Sequence, residues 1–329
     1  MSDIIATILA KYTSLTSTQH RTQYPAIDPT NPANSAAGKT VVISGGATGV
    51  GYAISRGFSK AGAANVVLIA RRQESLDDGA AQLRAEIAES KGKTNVWTYL
   101  LDIRNAYGAN SVFEDIRKRL STDGQAKDVD ILVTSAARFD QSKTALEFDP
   151  EAIRDGFDTN VGGNLNLVRA FLAPEIPAIP LNALIGTAKD TTGVQVPNRE
   201  KIVLDVSTGG TYLKIPGQAL YSSNKLAFTH MMQHLQAEVD QLPGSPIRIH
   251  SFNPGNILSP ASRKLGLTEE SANFDDESLP EGFAVWLASP AAKFLKGRFV
   301  WSSWDVEEML AKRQKFEEDS LLGQFTLKL

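Results

Sequence analysis

The sequence has 329 residues, of which 42% are hydrophobic and 22% are charged, and its formal net charge is −3. This balance is ordinary for a globular protein with a substantial core, and it gives no reason to expect nucleic acid or an anionic membrane as a partner. Cysteine is absent, which excludes disulfides, thiolate nucleophiles and cysteine-ligated metals.

No segment approaches the roughly 18 consecutive apolar residues of a membrane span. The short apolar run Ile4–Ala10 follows Asp3, where a signal peptide would carry positive charge, so we expect a cytoplasmic protein without a membrane partner. The C-terminal tripeptide Leu327-Lys328-Leu329 is similar to a peroxisomal S-K-L ending, although a chance match or a packed terminal segment is favoured.

The chain begins with residues 1–37, which are rich in Ser, Thr, Asn and Pro over their second half and are interpreted as an extended N-terminal arm. Residues 38–305 then alternate between strand-like and helix-like segments, and 306–329 form a C-terminal tail. The predicted strands are Thr40–Ser44, Asn65–Ala70, Asn95–Leu101, Asp130–Thr134, Lys201–Val206 and Ile247–Phe252. The predicted helices are Tyr52–Ala61, Leu76–Ser90, Asn110–Leu120, Glu151–Phe171 and Tyr221–Gln241.

The strands are rich in Val, Ile and Leu without apolar–polar alternation, which favours burial on both faces. Repeated strand–helix alternation of this kind indicates a single α/β domain with a Rossmann-like, doubly wound parallel sheet and helices on both faces. Three loop-rich stretches, 139–148, 174–200 and 259–282, interrupt the pattern. The last of them is interpreted as a substrate loop, and none of the three identifies a substrate.

A glycine-rich turn, ISGGATGVG, joins the first strand to the first helix. Backbone N–H groups at a helix N-terminus favour an anion, and missing Cβ atoms let a pyrophosphate approach the main chain. The spacing places Gly45, Gly49 and Gly51 against a nucleotide, while Gly46 only eases the turn. A tight turn with close helix–strand packing is the alternative.

The second strand ends in Ala70-Arg71-Arg72 and carries no acidic residue there. A carboxylate at this point holds the ribose 2′-hydroxyl of NAD, whereas arginine suits the 2′-phosphate of NADP. Since a guanidinium grips a phosphate in two places, the sequence favours NADP(H), with Arg71 as the main contact and Arg72 as its helper.

The segment YSSNK places Tyr221 and Lys225 on one face of a helix. An ammonium group beside a phenol lowers the phenol's pKa, which suits a tyrosine that gives a proton to a carbonyl or takes one from an alcohol. The strand before this helix ends in Ser207 and Thr208, whose hydroxyls either serve the same site or cap a turn. Asn160 is either a site residue or a helix cap.

At this point the chain resembles the short-chain dehydrogenase/reductase family over residues 38–305. Its cofactor motif appears as SGGATGVG over 44–51, its adenine-contacting aspartate as Asp102, and its Y-x-x-x-K pair as Tyr221 and Lys225. The resemblance implies that Asn160 sustains a proton relay and that Lys225 binds the nicotinamide ribose. The full set of implied cofactor contacts is Gly45, Thr48, Gly49, Val50, Gly51, Arg71, Arg72, Asp102, Ile103, Ala136, Tyr221, Lys225, Pro254, Gly255, Ile257 and Ser259.

Two positions depart from the family pattern. The family's catalytic serine falls on Thr208, and a shift of one residue would give that role to Ser207. The N-N-A-G motif appears as TSAA over 134–137, without its asparagine side chains, which removes an expected support of the strand. The arm and the tail are also similar to the fungal branch of the family in secondary metabolism.

The sequence thus predicts an NADP-dependent oxidoreductase with Tyr221 as acid/base, acting on a small metabolite. A non-redox cyclisation, dehydration or isomerisation on the same fold is the first alternative, and a catalytically silent NADP-sensing module is the second. His230 and His234 have the spacing of a metal pair but lack the accompanying glutamate, so we expect no metal. The resemblance implies instead that their helix packs against a second subunit, in a homodimer or homotetramer.

Overall fold

The computed structural model describes residues 15–121, 127–139, 143–173, 194–242 and 244–324, together with the single residues 176, 179, 184 and 191. The tripeptide at 327–329 and most of the loop at 174–200 therefore lie outside the described residues. Seven strands are present: β1 (Thr40–Ser44), β2 (Asn65–Ala70), β3 (Asn95–Leu100), β4 (Ile131–Thr134), β5 (Lys201–Val206), β6 (Ile247–Asn253) and β7 (Phe299–Trp301).

All seven strands run parallel in one sheet, in the order β3-β2-β1-β4-β5-β6-β7. The order reverses between β1 and β4, which opens a crevice at the carboxyl ends of these strands. The main helices are α1 (Gly49–Lys60), α2 (Gln73–Glu89), α3 (Ala106–Leu120), α4 (Pro150–Phe157), α5 (Asn164–Leu172), α6 (Ala219–Val239), α7 (Pro260–Lys264), α8 (Ser278–Ala288), α9 (Val306–Ala311) and α10 (Arg313–Glu318).

Helices cover both faces of the sheet, so the predicted doubly wound architecture is confirmed. On one face, Phe58 of α1 and Phe283 of α8 belong to the core with alternate residues of β1 and β2. On the other face, Phe113 of α3, Phe171 of α5 and Phe228 of α6 pack over the opposite residues of the same strands. Burial on both faces explains the continuous apolar strands, whereas β3, at the edge, is partly exposed.

The helix predicted over 151–171 is interrupted between α4 and α5. Residues Asp158–Gly163 form a π-helical turn, which inserts an extra residue into the helix and changes which side chains face the sheet. A side chain at Gly163 would lie 2.6 Å from Ile103 Cγ1, so the turn needs glycine there.

Several elements of the second half were not predicted, among them β7 and α8. Strand β7 extends the sheet beyond β6, and α8 begins at Ser278, inside the segment interpreted as the 259–282 loop. Trp301 in β7, Trp286 in α8 and nearby Trp304 are buried, as expected for tryptophans that fill the core. The loop-rich segment therefore ends about five residues earlier than its predicted limit.

The described part of the N-terminal arm packs on the main domain. Ile27 is fully buried, and a Cβ at Gly282 of α8 would lie 2.4 Å from its carbonyl oxygen. The tail is packed as well, through buried Val306, Met309 and Phe316. The division at residues 37 and 305 stays a prediction from composition. Within the described ranges, no helix has the length and apolar character needed to cross a bilayer.

Candidate active site

A cleft of about 570 Å³ lies at the carboxyl ends of the central strands. All of the sequence-predicted cofactor residues line it, and so do four of the five predicted catalytic residues. These four are Ser207, Thr208, Tyr221 and Lys225. The residues come from seven separate segments between Gly45 and Ser259, so the fold brings together residues that are far apart in the sequence.

The glycines of the first turn are required by the chain's own packing. Gly45 and Gly49 have positive φ angles of 67° and 55°, which side-chain-bearing residues rarely adopt. A Cβ at Gly51 would lie 2.3 Å from the Gly45 carbonyl oxygen, and one at Gly46 would lie 2.9 Å from the Ile43 carbonyl oxygen. The tight turn is therefore confirmed. The turn also borders the cleft, as the nucleotide interpretation requires.

The N-terminus of α1 has the donor chemistry that a pyrophosphate needs. Thr48 precedes the helix in an extended conformation and forms no side-chain cap, and the first turn carries no acidic residue. The N–H groups of the first turn, from Gly49 to Gly51, have no acceptor within the helix. These residues line the cleft together with Thr48. The residues present fit a dinucleotide phosphate.

The end of β2 carries two exposed arginines and no carboxylate. Arg71 and Arg72 line the cleft beside Ala70. Asp102, the acidic residue predicted to contact the adenine, forms an ion pair with Arg104, whose Nη2 lies 2.6 Å from Asp102 Oδ2. The hydrogen bonds from Arg104 hold the pKa of the Asp102 carboxyl below its usual range, and the charge of Arg71 contributes to the same shift.

The missing asparagines of the TSAA stretch are replaced by other donors and acceptors. The Ser44 hydroxyl lies 3.1 Å from the backbone N–H groups of Ser135 and Ala136 and accepts from both. Asn164 of α5 donates its side-chain amide to the carbonyl of Ala136 at 3.1 Å. The strand end at β4 is therefore fixed without the family motif, and Ala136 faces Gly45 across the turn.

Tyr221 stands at the cleft wall on the first turn of α6. Its ring meets that of Phe139 edge-on, with 4.7 Å between centroids. Lys225, one turn further, is buried and donates from Nζ to the Val206 carbonyl at 2.5 Å. Burial lowers the pKa of Lys225, and the charge of Asp205 opposes that shift.

The electrostatics of the pair differ from the sequence expectation in one respect. Lys225 was expected to lower the pKa of Tyr221. In this structure burial raises the Tyr221 pKa, and the negative charge of Asp205 raises it further. The phenol is therefore held in its protonated form, which is the form that donates a proton.

The two hydroxyls at the end of β5 point in different directions. Ser207 is buried, and its Oγ lies 2.7 Å from Thr229 Oγ1 on α6. Thr208 is the more exposed of the two, and it accepts from the Gly210 N–H at 3.2 Å, as a cap of the following turn. The cap reading is thus correct for Thr208, and its hydroxyl is also the one available at the cleft.

Asn160 is the predicted catalytic residue that does not line the cleft. It is fully buried in the π-helical turn, where its Oδ1 accepts from the Arg138 N–H at 2.6 Å and its Nδ2 donates to the Arg138 carbonyl at 2.9 Å. It is not a helix cap, because it lies within the helical run. Its side chain fixes the backbone next to Phe139.

The loop after β6 forms the far wall of the cleft. Pro254, Gly255, Ile257 and Ser259 all line it, and Gly255 has a φ of 98°. A Cβ at Gly255 would lie 2.9 Å from Oδ2 of Asp275, a residue that sequence reasoning did not select.

Asp275 links this loop to the N-terminal arm. Its Oδ2 accepts from the Asn256 N–H at 2.7 Å, and its Oδ1 accepts from Arg21 Nε at 2.8 Å. Arg21 also donates to the carbonyls of Asn273 and Phe274, at 2.6 and 2.7 Å. The arm therefore fixes the part of the 259–282 segment around residues 273–275, a role for which its composition gave no signal.

His230 and His234 lie on the exposed side of α6, with their Nε2 atoms 3.1 Å apart. The described residues contain no group of three or more His, Cys, Asp or Glu side chains that could hold a metal ion. The pair therefore stands as two histidines one turn apart on an outer helix surface.

Solved structures share this architecture. An L-sorbose reductase from Gluconobacter frateurii, solved with NADPH and L-sorbose, is 23% identical with a TM-score of 0.64, over 82% of this chain and 96% of that one. A 7α-hydroxysteroid dehydrogenase solved with NADH is 20% identical with a TM-score of 0.63, over 85% and 97%. At these identities the likeness shows the fold alone.

The sequence comparisons go further. A family model described as short chain dehydrogenase matches residues 39–177. A short chain dehydrogenase/reductase from Claviceps purpurea is 31% identical over 284 residues, which cover 86% of this chain and 84% of that protein. The chain belongs to the short-chain dehydrogenase/reductase family. Another member, nsrO from Aspergillus novofumigatus, is 29% identical over 86% of each chain. The predicted resemblance to fungal members of the short-chain dehydrogenase/reductase family is confirmed.

Proposed function

We propose that this short-chain dehydrogenase/reductase is an NADP-dependent oxidoreductase that interconverts a carbonyl and an alcohol in a small metabolite. The observation that carries the proposal is the meeting of Tyr221, Lys225 and Thr208 with the glycine turn in one cleft. Nucleotide-binding chemistry and proton-transfer chemistry therefore share one space.

Each side chain has a separate role in the reaction at the substrate oxygen. The nicotinamide, when bound, supplies or accepts the hydride. The Tyr221 hydroxyl donates its proton to the carbonyl oxygen during reduction and takes it back during oxidation, while the Thr208 hydroxyl holds that oxygen. The Lys225 ammonium stabilises the phenolate that remains after proton transfer. Asn160 positions Arg138 and therefore Phe139, which touches the Tyr221 ring.

NADP is the proposed cofactor because of the charges at the end of β2. Arg71 and Arg72 are exposed at the cleft, and Asp102 is already neutralised by Arg104. A 2′-phosphate would meet two guanidinium groups there, whereas NAD would find no free carboxylate for its 2′-hydroxyl.

The substrate end of the cleft favours an apolar or aromatic molecule. Phe139, Leu267 and Phe274 line it together with Tyr221. Aromatic walls of this kind bury flat apolar rings, with a small number of polar groups to fix their orientation. Such a substrate agrees with a role in fungal secondary metabolism, which we also propose for this protein. The proposed location is the cytoplasm.

A homo-oligomer is the proposed assembly, as a dimer or a tetramer. The packed pair α4 and α6 exposes Ile153 and Phe157 on α4 and Met231 on α6, each about two-fifths exposed. Apolar side chains of this size on neighbouring helices are typical of a surface that a partner covers.

The catalytic assignment is tested with Tyr221→Phe. Loss of the general acid lowers turnover by about 10²- to 10⁴-fold on a carbonyl substrate, with NADPH oxidation followed by its absorbance. Near-full turnover in Tyr221→Phe would refute the role of Tyr221. Product formation without any change in nicotinamide absorbance would refute the redox reaction and support the non-redox alternative.

The cofactor assignment is tested with Arg71→Ala. Loss of a charge-assisted contact raises the KM for NADPH about tenfold and leaves that for NADH unchanged. Arg313→Ala is the matched control, because Arg313 is an exposed arginine of α10 that pairs with Glu317 away from the cleft. An unchanged NADPH/NADH preference in Arg71→Ala would contradict the assignment.

A further inference from the structure

A buried carboxyl group lies behind the catalytic lysine. Asp205 is the fifth residue of β5 and is fully buried. Because side chains alternate along a strand, Val203, Asp205 and Ser207 face the same side, toward α6. An isolated carboxylate in a sheet interior is strongly unfavourable, so its surroundings must either pair it or neutralise it.

Two hydroxyls hydrogen-bond to this carboxyl directly, a third reaches it through one of them, and one lysine interacts with its charge. The Thr229 hydroxyl donates to Asp205 Oδ2 at 2.6 Å, and the Ser251 hydroxyl of β6 also hydrogen-bonds to it. Since the single hydroxyl proton of Thr229 points to Asp205, Ser207 must donate in turn to Thr229. The proton of Ser207 is therefore directed away from the cleft, and of the two hydroxyls at the end of β5 only that of Thr208 remains as a donor there.

Lys225 supplies the opposite charge. It precedes Thr229 by one turn of α6, and its Nζ is fixed on the carbonyl of Val206, the residue next to Asp205. The groups that titrate here are Asp205 on β5 and Lys225 and Tyr221 on α6. The polar side chains that hydrogen-bond to Asp205, Thr229 of α6 and Ser251 of β6, carry no charge.

We propose that Asp205 is the buried counter-charge that keeps the Tyr221–Lys225 pair protonated, and is thus a positioning residue for proton delivery to a carbonyl. The proposal rests on the proposed reductase function and adds a residue to it. With Asp205 ionised, the three groups have no net charge while both Tyr221 and Lys225 hold their protons. Without the Asp205 charge, the first proton leaves the pair more easily, whichever group loses it.

The charges of Asp205 and Lys225 shift each other's pKa in the direction that this role requires, against the larger effect of burial. Burial lowers the pKa of Lys225, and the carboxylate of Asp205 acts against that change. The same carboxylate raises the pKa of Tyr221. Burial raises the pKa of Asp205 itself, while Lys225, Thr229 and Ser251 oppose that shift and favour its ionised form.

The test is Asp205→Asn, which removes the charge and keeps the shape and a hydrogen-bond acceptor. Carbonyl reduction requires Tyr221 and Lys225 both protonated, so kcat/KM falls as pH rises through the first pKa of the pair. We expect this falling limb to move to lower pH by about one unit or more in Asp205→Asn. A falling limb at the wild-type pH would overturn the proposal.

Asp128→Asn is the matched control. Asp128 is also buried, and its Oδ2 lies 2.5 Å from the Nζ of Lys201, a buried lysine at the other end of β5. Each substitution removes a carboxylate from a buried lysine: Lys201 in β5 or Lys225 beside it. Both are therefore expected to lower the free energy of unfolding. We expect the pH limb to move in Asp205→Asn alone, and an equal shift in Asp128→Asn would contradict a specific role for Asp205.

If Asp205→Asn does not fold, a second variant and a second measurement test the proposal. Thr229→Val removes one hydrogen bond from the carboxylate and is expected to move the limb in the same direction by a smaller amount. In the folded protein with ¹³C-labelled lysine, the signal that disappears in Lys225→Met reports the Lys225 titration without turnover. We expect a lower Lys225 pKa in Thr229→Val than in wild type. The proposal is refuted if neither the pH of the falling limb nor the Lys225 pKa differs between Thr229→Val and wild type. If wild-type protein turns over no carbonyl substrate with NADPH, the proposed function fails, while this titration still decides the role of Asp205.

Discussion

Gly51→Ala separates the two requirements placed on the glycine turn, self-packing and cofactor approach. The new Cβ would lie 2.3 Å from the Gly45 carbonyl oxygen and 2.8 Å from the carbonyl carbon, both of which are backbone atoms. No rotamer change relieves such a contact, so the turn must open by roughly 1 Å, the kind of overpacking that costs about 1–3 kcal/mol. We expect this loss in the free energy of unfolding without any cofactor present.

The measurement is urea denaturation of the cofactor-free protein, with Gly162→Ala as the matched control. Gly162 lies in the π-helical turn without a positive φ angle, and the nearest atom to its added Cβ is the Phe157 carbonyl oxygen at 4.0 Å. Alanine there is expected to stabilise the protein by about 0.5–1 kcal/mol, since it restricts the unfolded chain. The reasoning is refuted if Gly51→Ala unfolds at the wild-type urea concentration and loses only NADPH binding.

Three further outcomes follow from the contacts of the arm and the core. Arg21→Ala is expected to raise the KM for a carbonyl substrate several-fold with a smaller change in kcat, because the Phe274 carbonyl loses its hydrogen bond from Arg21. Arg263→Ala, in the exposed part of the same loop, is the control and is expected to leave both KM and kcat unchanged. Glu308→Ala is expected to speed amide exchange at Ser17 and Thr18, whose N–H groups donate to that carboxylate, and Glu307→Ala is its control. Burial lowers the pKa of His250 to about 3, below its unfolded value of about 6.5, so its contribution to stability is complete above pH 6.5 and is lost as pH falls toward 3. His250→Gln is therefore expected to flatten the dependence of urea stability on pH between 4 and 6.5, and an unchanged slope would contradict the assignment.

The central strands and the residues that line the cleft could be predicted because their signals are local. A continuous apolar strand followed by glycines needs no knowledge of the rest of the chain, and β1, β2 and β5 have the predicted limits. Tyr221 and Lys225 share a helix face by spacing alone. Their convergence with Arg71 follows from parallel strands that end at one edge.

Other elements depend on distant partners. Helix α8 begins with Ser278, Pro280 and Glu281, which indicate a polar loop, yet Glu281 is buried because Arg56 and Lys60 of α1 pair with it. Strand β7 has only three residues, too few for any periodicity. A local pattern cannot reveal either feature.

The π-helical turn and the buried carboxyl were missed for different reasons. The extra residue at Asp158–Gly163 is stabilised by the backbone of Arg138, which the sequence of the helix does not contain. Asp205 did carry a signal, a single charge inside an otherwise apolar strand. Its meaning depended on knowing that Thr229 and Lys225 lie opposite.

The attachment of the arm has a consequence for how the molecule is built. Arg21 meets Asp275, and Ser17 meets Glu308, across 254 and 291 positions of sequence. Contacts between such distant segments form late, because a long loop must close before they contribute. During synthesis the glycine turn and helix α6 emerge well before residues 273–278, so a growing chain already has its nucleotide turn and its Tyr-Lys pair while the wall of the cleft is still missing. Completion of the binding cleft therefore depends on almost the whole chain having left the ribosome.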